Sequence, residues 1–152
     1  MTGPRVAITI DCHDPRRLAA FWSAALGYVP ESAPEGHPTW LSYWRAIGIP
    51  PEELADVDED TWDSIVDPAG ERPRVWFQVV PEGKVVKNRL HLDLDVTDRR
   101  SGDLVSRTRA VETEVARLVE LGASRLVTRA PDGADYYAVV MADPEGNEFC
   151  VS

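Results

Sequence analysis

Residues 87–96 read KNRLHLDLDV, and within them Leu90, Leu92, Leu94 and Val96 fall on one side of an extended chain while His91, Asp93 and Asp95 fall on the other. Successive side chains of a strand point to opposite sides of its sheet, so this alternation marks a strand with one buried face. The spacing predicts a strand over Arg89–Val96. Towards the C-terminus, Val111, Val115, Leu118 and Val119 recur at helical spacing and stop at Gly122, which predicts a helix over about 108–121. Three β-rich runs follow, Arg125–Thr128, Tyr136–Met141 and Asn147–Val151, separated by the turn compositions Pro131-Asp132-Gly133 and Asp143-Pro144-Glu145-Gly146. The second half is therefore a strand, a helix and a three-stranded meander.

The first half repeats this grammar. Arg5–Asp11 alternates, with Val6, Ile8 and Ile10 opposite Ala7, Thr9 and Asp11. Asp14 is a natural helix N-cap and Pro15 a natural first helical residue, because proline has no N–H to lose there. Leu18, Phe21, Trp22, Ala25 and Leu26 form an apolar stripe that ends at Gly27. From Glu31 to Arg72 the pattern is broken by Pro34, Pro38, Pro50 and Pro51, and most of this stretch reads as an insertion. It carries Trp40, Tyr43 and Trp44, then a short helix opened by Pro51 and the acidic run Glu52, Glu53, Asp56, Asp58, Glu59 and Asp60, read as a solvated excursion. Asp67-Pro68-Ala69-Gly70 turns the chain into a strand over Arg74–Val80. Each half thus has a leading strand, an aspartate (Asp14, Asp98), a helix with a Leu-Gly stop (Leu26-Gly27, Leu121-Gly122), and Asp-Pro-x-Gly before its last strand.

The stretches DPRRLAAFWSAALGY (14–28), KNRLHLDLDV (87–96), EVARLVELGA (114–123) and DPEGNEFCV (143–151) resemble the vicinal oxygen chelate superfamily, in particular its glyoxalase-like members. That superfamily also holds bleomycin-resistance proteins and dioxygenases. The resemblance runs through nearly the whole chain. It implies an α+β fold in a single glyoxalase-like domain, 1–152, built from two tandem βαβββ modules. The first spans 4–82 with the insertion at about 31–72, and the second spans 88–152. The sheets of such proteins curl into a cup, with helices outside and the ligand or metal site on the inner face.

Composition narrows the partners. Sixteen Lys+Arg against twenty-six Asp+Glu give a net charge of −10, which repels nucleic-acid phosphates and anionic lipid. The two cysteines, Cys12 and Cys150, form no disulfide framework and read as free thiols of a reducing compartment. No basic leader with an apolar run and no membrane-length apolar stretch occurs, so a cytoplasmic location is expected. A small molecule is the expected partner, together with a second copy in a homodimer, because relatives often pair modules between chains.

In metal-dependent relatives one ligand comes from each leading strand and one from each final strand. The resemblance carries these positions to His91 and Cys150 in the second half, and to Ala7 and Gln78 in the first. A methyl group coordinates nothing and neither the thiol nor the amide is the expected carboxylate, so a divalent metal is not expected as a cofactor. A His91–Cys150 pair would still suit zinc. Metal-assisted proton transfer of the lactoylglutathione-lyase type needs a metal and a carboxylate, and an extradiol dioxygenase needs two histidines and a glutamate, so neither is expected.

Two functions stay open. One is a lyase or isomerase in which His91 is general base or lone metal ligand, assisted by Glu148 or Asp93. The other is a non-catalytic binder of the bleomycin-resistance kind, in which an acidic, aromatic cleft sequesters a cationic drug. Trp40, Trp44, Trp76, Gln78, Asp93, Tyr136 and Cys150 are the candidate lining residues in either case. Cys12-His13-Asp14 is set aside as a catalytic cluster, because consecutive strand residues point to alternating faces.

Overall fold

The structure, a computed structural model, describes residues 4–98 and 102–152. The chain divides into two compact units, 1–80 and 81–152. Each carries a four-stranded mixed sheet with a helix after its leading strand, so the fold is α+β with two βαβββ-type modules.

In the first unit β1 (Ala7–Cys12) leads into α1 (Pro15–Leu26), followed by β2 (Val29–Pro30), α2 (Trp40–Ala46), a 3₁₀ turn (Pro51–Leu54), β3 (Ser64–Val66) and β4 (Arg74–Val79). The sheet order is β1-β4-β3-β2, with β1 parallel to β4 and the other pairs antiparallel. The Asp14 carboxylate accepts the Arg17 N–H at 2.9 Å and starts α1. Gly27, at φ 67°, ends it in the left-handed conformation that glycine adopts without a Cβ penalty. The buried face of α1 is Leu18, Ala19, Phe21 and Trp22, over Ile65, Val75 and Phe77 of the sheet. Val6 lies ahead of β1 and is exposed, so the apolar face of that strand begins at Ile8. β3 falls inside the stretch read as an insertion, and the acidic run is helical only over Pro51–Leu54.

The second unit contains β5 (Asp93–Leu94), α3 (Leu104–Glu120), β6 (Ser124–Arg129), β7 (Ala138–Ala142) and β8 (Glu148–Val151), in the sheet order β5-β8-β7-β6. β5 is parallel to β8, and the meander is antiparallel. Val111, Val115 and Leu118 of α3 are buried against Val139, Met141, Phe149 and Val151. The helix is capped by Asp103 and starts at Leu104, four residues earlier than its apolar spacing alone implies. β6 is the outer strand, exposed along its whole length, with a bulge between Arg125 and Val127. Among the described residues, no helix is long and apolar enough to cross a membrane.

The predicted strand over Arg89–Val96 is much shorter than its alternation. Only Asp93–Leu94 is a regular strand, extended by ladder bonds from Cys150 N–H to Leu92 O and from Val96 N–H to Ser152 O. Leu90 is exposed. The reason is the neighbour: the residues paired with this edge come from β8, which has four residues, and a strand needs backbone partners as well as an apolar side.

The two Asp-Pro-x-Gly turns are held by buried carboxylates. Asp67 accepts the N–H groups of Glu71 and Arg72, each at 3.1 Å, and the Arg72 guanidinium at 2.8 Å. Asp143 accepts the N–H groups of Glu145 at 2.9 Å and Asn147 at 3.0 Å. Arg72 also donates to the Leu26 carbonyl at 3.0 Å and lies over the Tyr28 ring at 4.7 Å, tying the end of α1 to the turn. The Arg72 hydrogen bond, supported by three backbone N–H groups, holds the Asp67 carboxyl well below the usual carboxylate range, against the opposing effect of burial. Its contribution to stability is therefore complete above the unfolded carboxylate pKa of about 4 and is lost as pH falls below that value. Denaturant midpoints of Asp67→Asn should lie below those of the unmodified protein at pH 7, and the gap should narrow on acidification; a gap constant down to pH 3 would refute this role.

Candidate functional site

On β8, Phe149 and Val151 are buried on the helix side, so Glu148 and Cys150 share the opposite, polar face. Asp93 of β5 is registered directly with Cys150. Burial raises the pKa of the Cys150 thiol, and the negative charge of Asp93 and a hydrogen bond with it push in the same direction. A thiol above its ordinary pKa is a weak nucleophile and metal ligand at neutral pH, because the thiolate is the reactive form.

Glu148 is engaged twice. Its carboxylate accepts the Asn88 N–H at 3.0 Å and meets the Lys84 ammonium at 3.1 Å. The Asn88 N–H, followed by Lys84, lowers its pKa to about 2 despite opposing desolvation. These contacts fasten the segment before β5 to the start of β8. His91 lies in that segment, two residues ahead of β5 and exposed. Its Nε2 is 2.7 Å from Lys87 Nζ and 3.2 Å from the Asn88 carbonyl. A charged ammonium can only donate, so Nε2 accepts from Lys87 and the Asn88 contact is one of proximity. Tyr136 is exposed and borders a small recess with Arg107, Tyr137 and Ser152. The hydroxyl of Tyr137 donates to Glu112, which Arg125 grips with two bonds of 2.7 and 2.8 Å.

In the first unit, Trp76 and Gln78 occupy the face of β4 opposite the buried Val75 and Phe77. Trp76 is registered with Thr9 and donates its indole N–H to Asp63 at 2.8 Å. Gln78 is registered with Asp11. Ala7 pairs with Arg74, whose Nε donates to Glu31 at 2.6 Å, and Glu31 also accepts the buried Ser64 hydroxyl at 2.8 Å. Trp40 and Trp44 are on α2, one turn apart, with ring centroids 5.7 Å apart. They form an aromatic group with Tyr43 and His37.

The registers revise the internal correspondence. Thr9 pairs with Trp76 as Asp93 pairs with Cys150, so the first-unit counterpart of Cys150 is Trp76 rather than Gln78. Gln78 matches Ser152, whose hydroxyl donates to Asp95 at 3.0 Å. The first turn is two residues longer than the second, which puts Arg74 in the place of Glu148 and Trp76 in that of Cys150, whereas Gln78 would need a turn four residues longer. Gln78 and Cys150 therefore do not occupy equivalent positions.

These residues do not fit a chelated divalent metal. Among the described residues no group of three or more His, Cys, Asp or Glu side chains could hold one. In the second unit His91 and Glu148 each have a lysine partner, and the Cys150 thiol is driven toward its protonated form.

One feature went unrecognised in the sequence: a pocket of about 310 Å³ in the first unit. It is bordered by Glu31, His37, Trp40, Glu59, Asp60 and Trp62. The sequence signal was Trp62 at the end of the acidic run, an apolar ring where a solvated excursion would not place one.

Residues 7–152 match the family described as a glyoxalase-like domain. The chain belongs to this glyoxalase-like family. Solved structures agree at the level of fold. A glyoxalase/bleomycin resistance protein/dioxygenase family enzyme from Burkholderia phytofirmans PsJN is 18% identical, with 95% of this chain and 94% of that one covered and a TM-score of 0.55. A mutant of the fosfomycin resistance protein FosX from Listeria monocytogenes, solved with Mn(II) and a dihydroxypropylphosphonic acid, is 10% identical, covering 99% and 90%, with a TM-score of 0.59. A glyoxalase-related enzyme from Fulvimarina pelagi is 17% identical, covering 97% and 86%, with a TM-score of 0.54. No protein of curated function matches the sequence.

For this glyoxalase-like protein the state of Cys150 is directly measurable. In a Cys12→Ser background, iodoacetamide should alkylate Cys150 more slowly at neutral pH than it alkylates a free cysteine, and Asp93→Asn should accelerate the reaction. Labelling as fast as free cysteine, with no response to Asp93→Asn, would contradict the raised pKa.

Proposed function

We propose that this glyoxalase-like protein binds a small organic molecule without a chelated metal, using the polar sheet face of the second unit, which carries Asp93, Glu148 and Cys150. The observation that carries the reading is the double engagement of Glu148 by Lys84 and the Asn88 N–H. A general base works best with a pKa near the operating pH, and a carboxylate held at about 2 is a poor one. Its chemistry here is to hold the 84–91 segment in place, which positions His91 and leaves Asp93 and Cys150 as hydrogen-bonding groups for a ligand.

A lyase or isomerase is the second reading, and it rests on His91, an exposed imidazole close to this face. In it His91 moves the proton, with Asp93 nearby. The binding reading has support that the catalytic one lacks: both the carboxylate and the thiol of β8 are shifted away from neutrality.

Metal titration separates chelation from metal-free binding. Thermal unfolding with Zn²⁺, Mn²⁺, Ni²⁺ or Fe²⁺ should show no saturable rise in Tm, in either the unmodified protein or His91→Ala, because a ligand stabilises only a state that binds it. A saturable rise lost in His91→Ala would overturn the metal-free reading. The role of Glu148 is read separately. Glu148→Gln should speed hydrogen exchange at the Asn88 amide while leaving exchange in α3 unchanged, and unaltered protection at Asn88 would remove the clamp from the argument.

A further inference from the structure

We infer that the pocket of the first unit, between the chain after β2, the start of α2 and residues 59–62, is a binding site for a small organic cation. The pocket belongs to the first unit, and the inference does not depend on the metal-free reading. Its volume of about 310 Å³ suits a compact ammonium compound, at the lower end of the roughly 300–1,000 Å³ found for ligand pockets.

Its walls supply the two things that recognise an organic cation, aromatic faces and an excess of negative charge. Trp40 is fixed by a 2.9 Å bond from its indole N–H to the Glu31 carbonyl. Tyr43 packs edge-on against that ring at 5.8 Å, and His37 packs edge-on against Tyr43 at 5.3 Å. Trp62 adds a second, partly buried indole. A rigid ring loses little entropy when it accepts a cation over its face, and alkyl groups on the nitrogen gain from the same apolar surface.

Among the described residues no lysine or arginine lines the pocket, whereas Glu31, Glu59 and Asp60 do. Glu31 is committed to Arg74 and Ser64 and serves as wall. The charge partners of Glu59 and Asp60 are Arg45 at 3.6 Å and Arg16 at 3.4 Å, with more than half of each side chain exposed in both pairs, and Glu59 also accepts the Thr39 hydroxyl at 3.0 Å. Such exposed pairs are weak and exchange readily with another cation. The surroundings reinforce them: residues 52–63 hold seven acidic residues and no basic one, and residues 1–80 hold thirteen acidic residues against six arginines. An anionic ligand would meet this field unfavourably. A neutral one would gain nothing from it.

The test uses choline and its uncharged carbon isostere, 3,3-dimethylbutan-1-ol, titrated into the full chain at low ionic strength by calorimetry and by tryptophan fluorescence. Choline should bind saturably with about tenfold or greater preference over the isostere. Glu59→Gln with Asp60→Asn, both at exposed positions that leave the fold intact, should weaken choline several-fold, and Trp62→Ala should weaken it further. His91→Ala should leave it unchanged. Equal affinity for choline and the isostere, or no saturable choline binding, would overturn the inference. So would choline binding that survives all three pocket substitutions, since it would place the cation elsewhere. Salt should weaken choline binding and spare the isostere, and the reverse pattern would count against a charged ligand.

Discussion

Everything on the two sheets depends on how the chain enters the final strand of each unit, and a buried carboxylate governs that entry. Asp67 and Asp143 each collect the backbone N–H groups of the turn that follows them. A carboxylate that accepts several N–H donors fixes the path of those residues, because each donor is held at hydrogen-bond distance from one charged group. Once the path is fixed, so is the register of β4 against β1 and of β8 against β5. A slip of one residue would turn Phe77 or Phe149 outward and bring Trp76 or Cys150 into the core.

The architecture was legible where a local pattern and its long-range partner agree. The stripe of α1, its stop at Gly27, the alternation of β1 from Ile8 onward and the two Asp-Pro-x-Gly turns read correctly from residue type alone, because each reflects the chain's own geometry. The extent of β5 did not. The alternation of Leu90, Leu92, Leu94 and Val96 is real, yet β8 offers partners to only part of it. The correspondence between Cys150 and Gln78 failed for a similar reason: the first turn is longer than the second by two residues, not the four that Gln78 presumes, and only the ladder fixes that number. The pocket was hidden more thoroughly. Its walls come from positions as far apart as Pro30 and Trp62, and although Trp62 marks the acidic run as more than a solvated excursion, it does not say which residues that run meets.

The candidate residues differ in how their charge is occupied. In the second unit, lysines draw Glu148 and His91 into fastening the segment before β5, and the thiol of Cys150 lies beside an acid that discourages its ionisation. In the first unit, the Glu31–Arg74–Ser64 group is tightly satisfied, while the arginine pairs of Glu59 and Asp60 are longer and exposed. The family's fold is thus retained with its ionisable groups given largely to internal fastening, and the less committed negative charge lies in the elaborated stretch.

The outer strand β6 has a further consequence. A long, exposed strand edge offers a row of unpaired backbone groups to any other strand that approaches. Here the bulge between Arg125 and Val127 interrupts that row, and Arg129 adds an exposed charge at its end. An incoming strand would find neither a continuous ladder nor a flat apolar seam, so the sheet stops growing at four strands and the molecule resists accretion into fibres along this side.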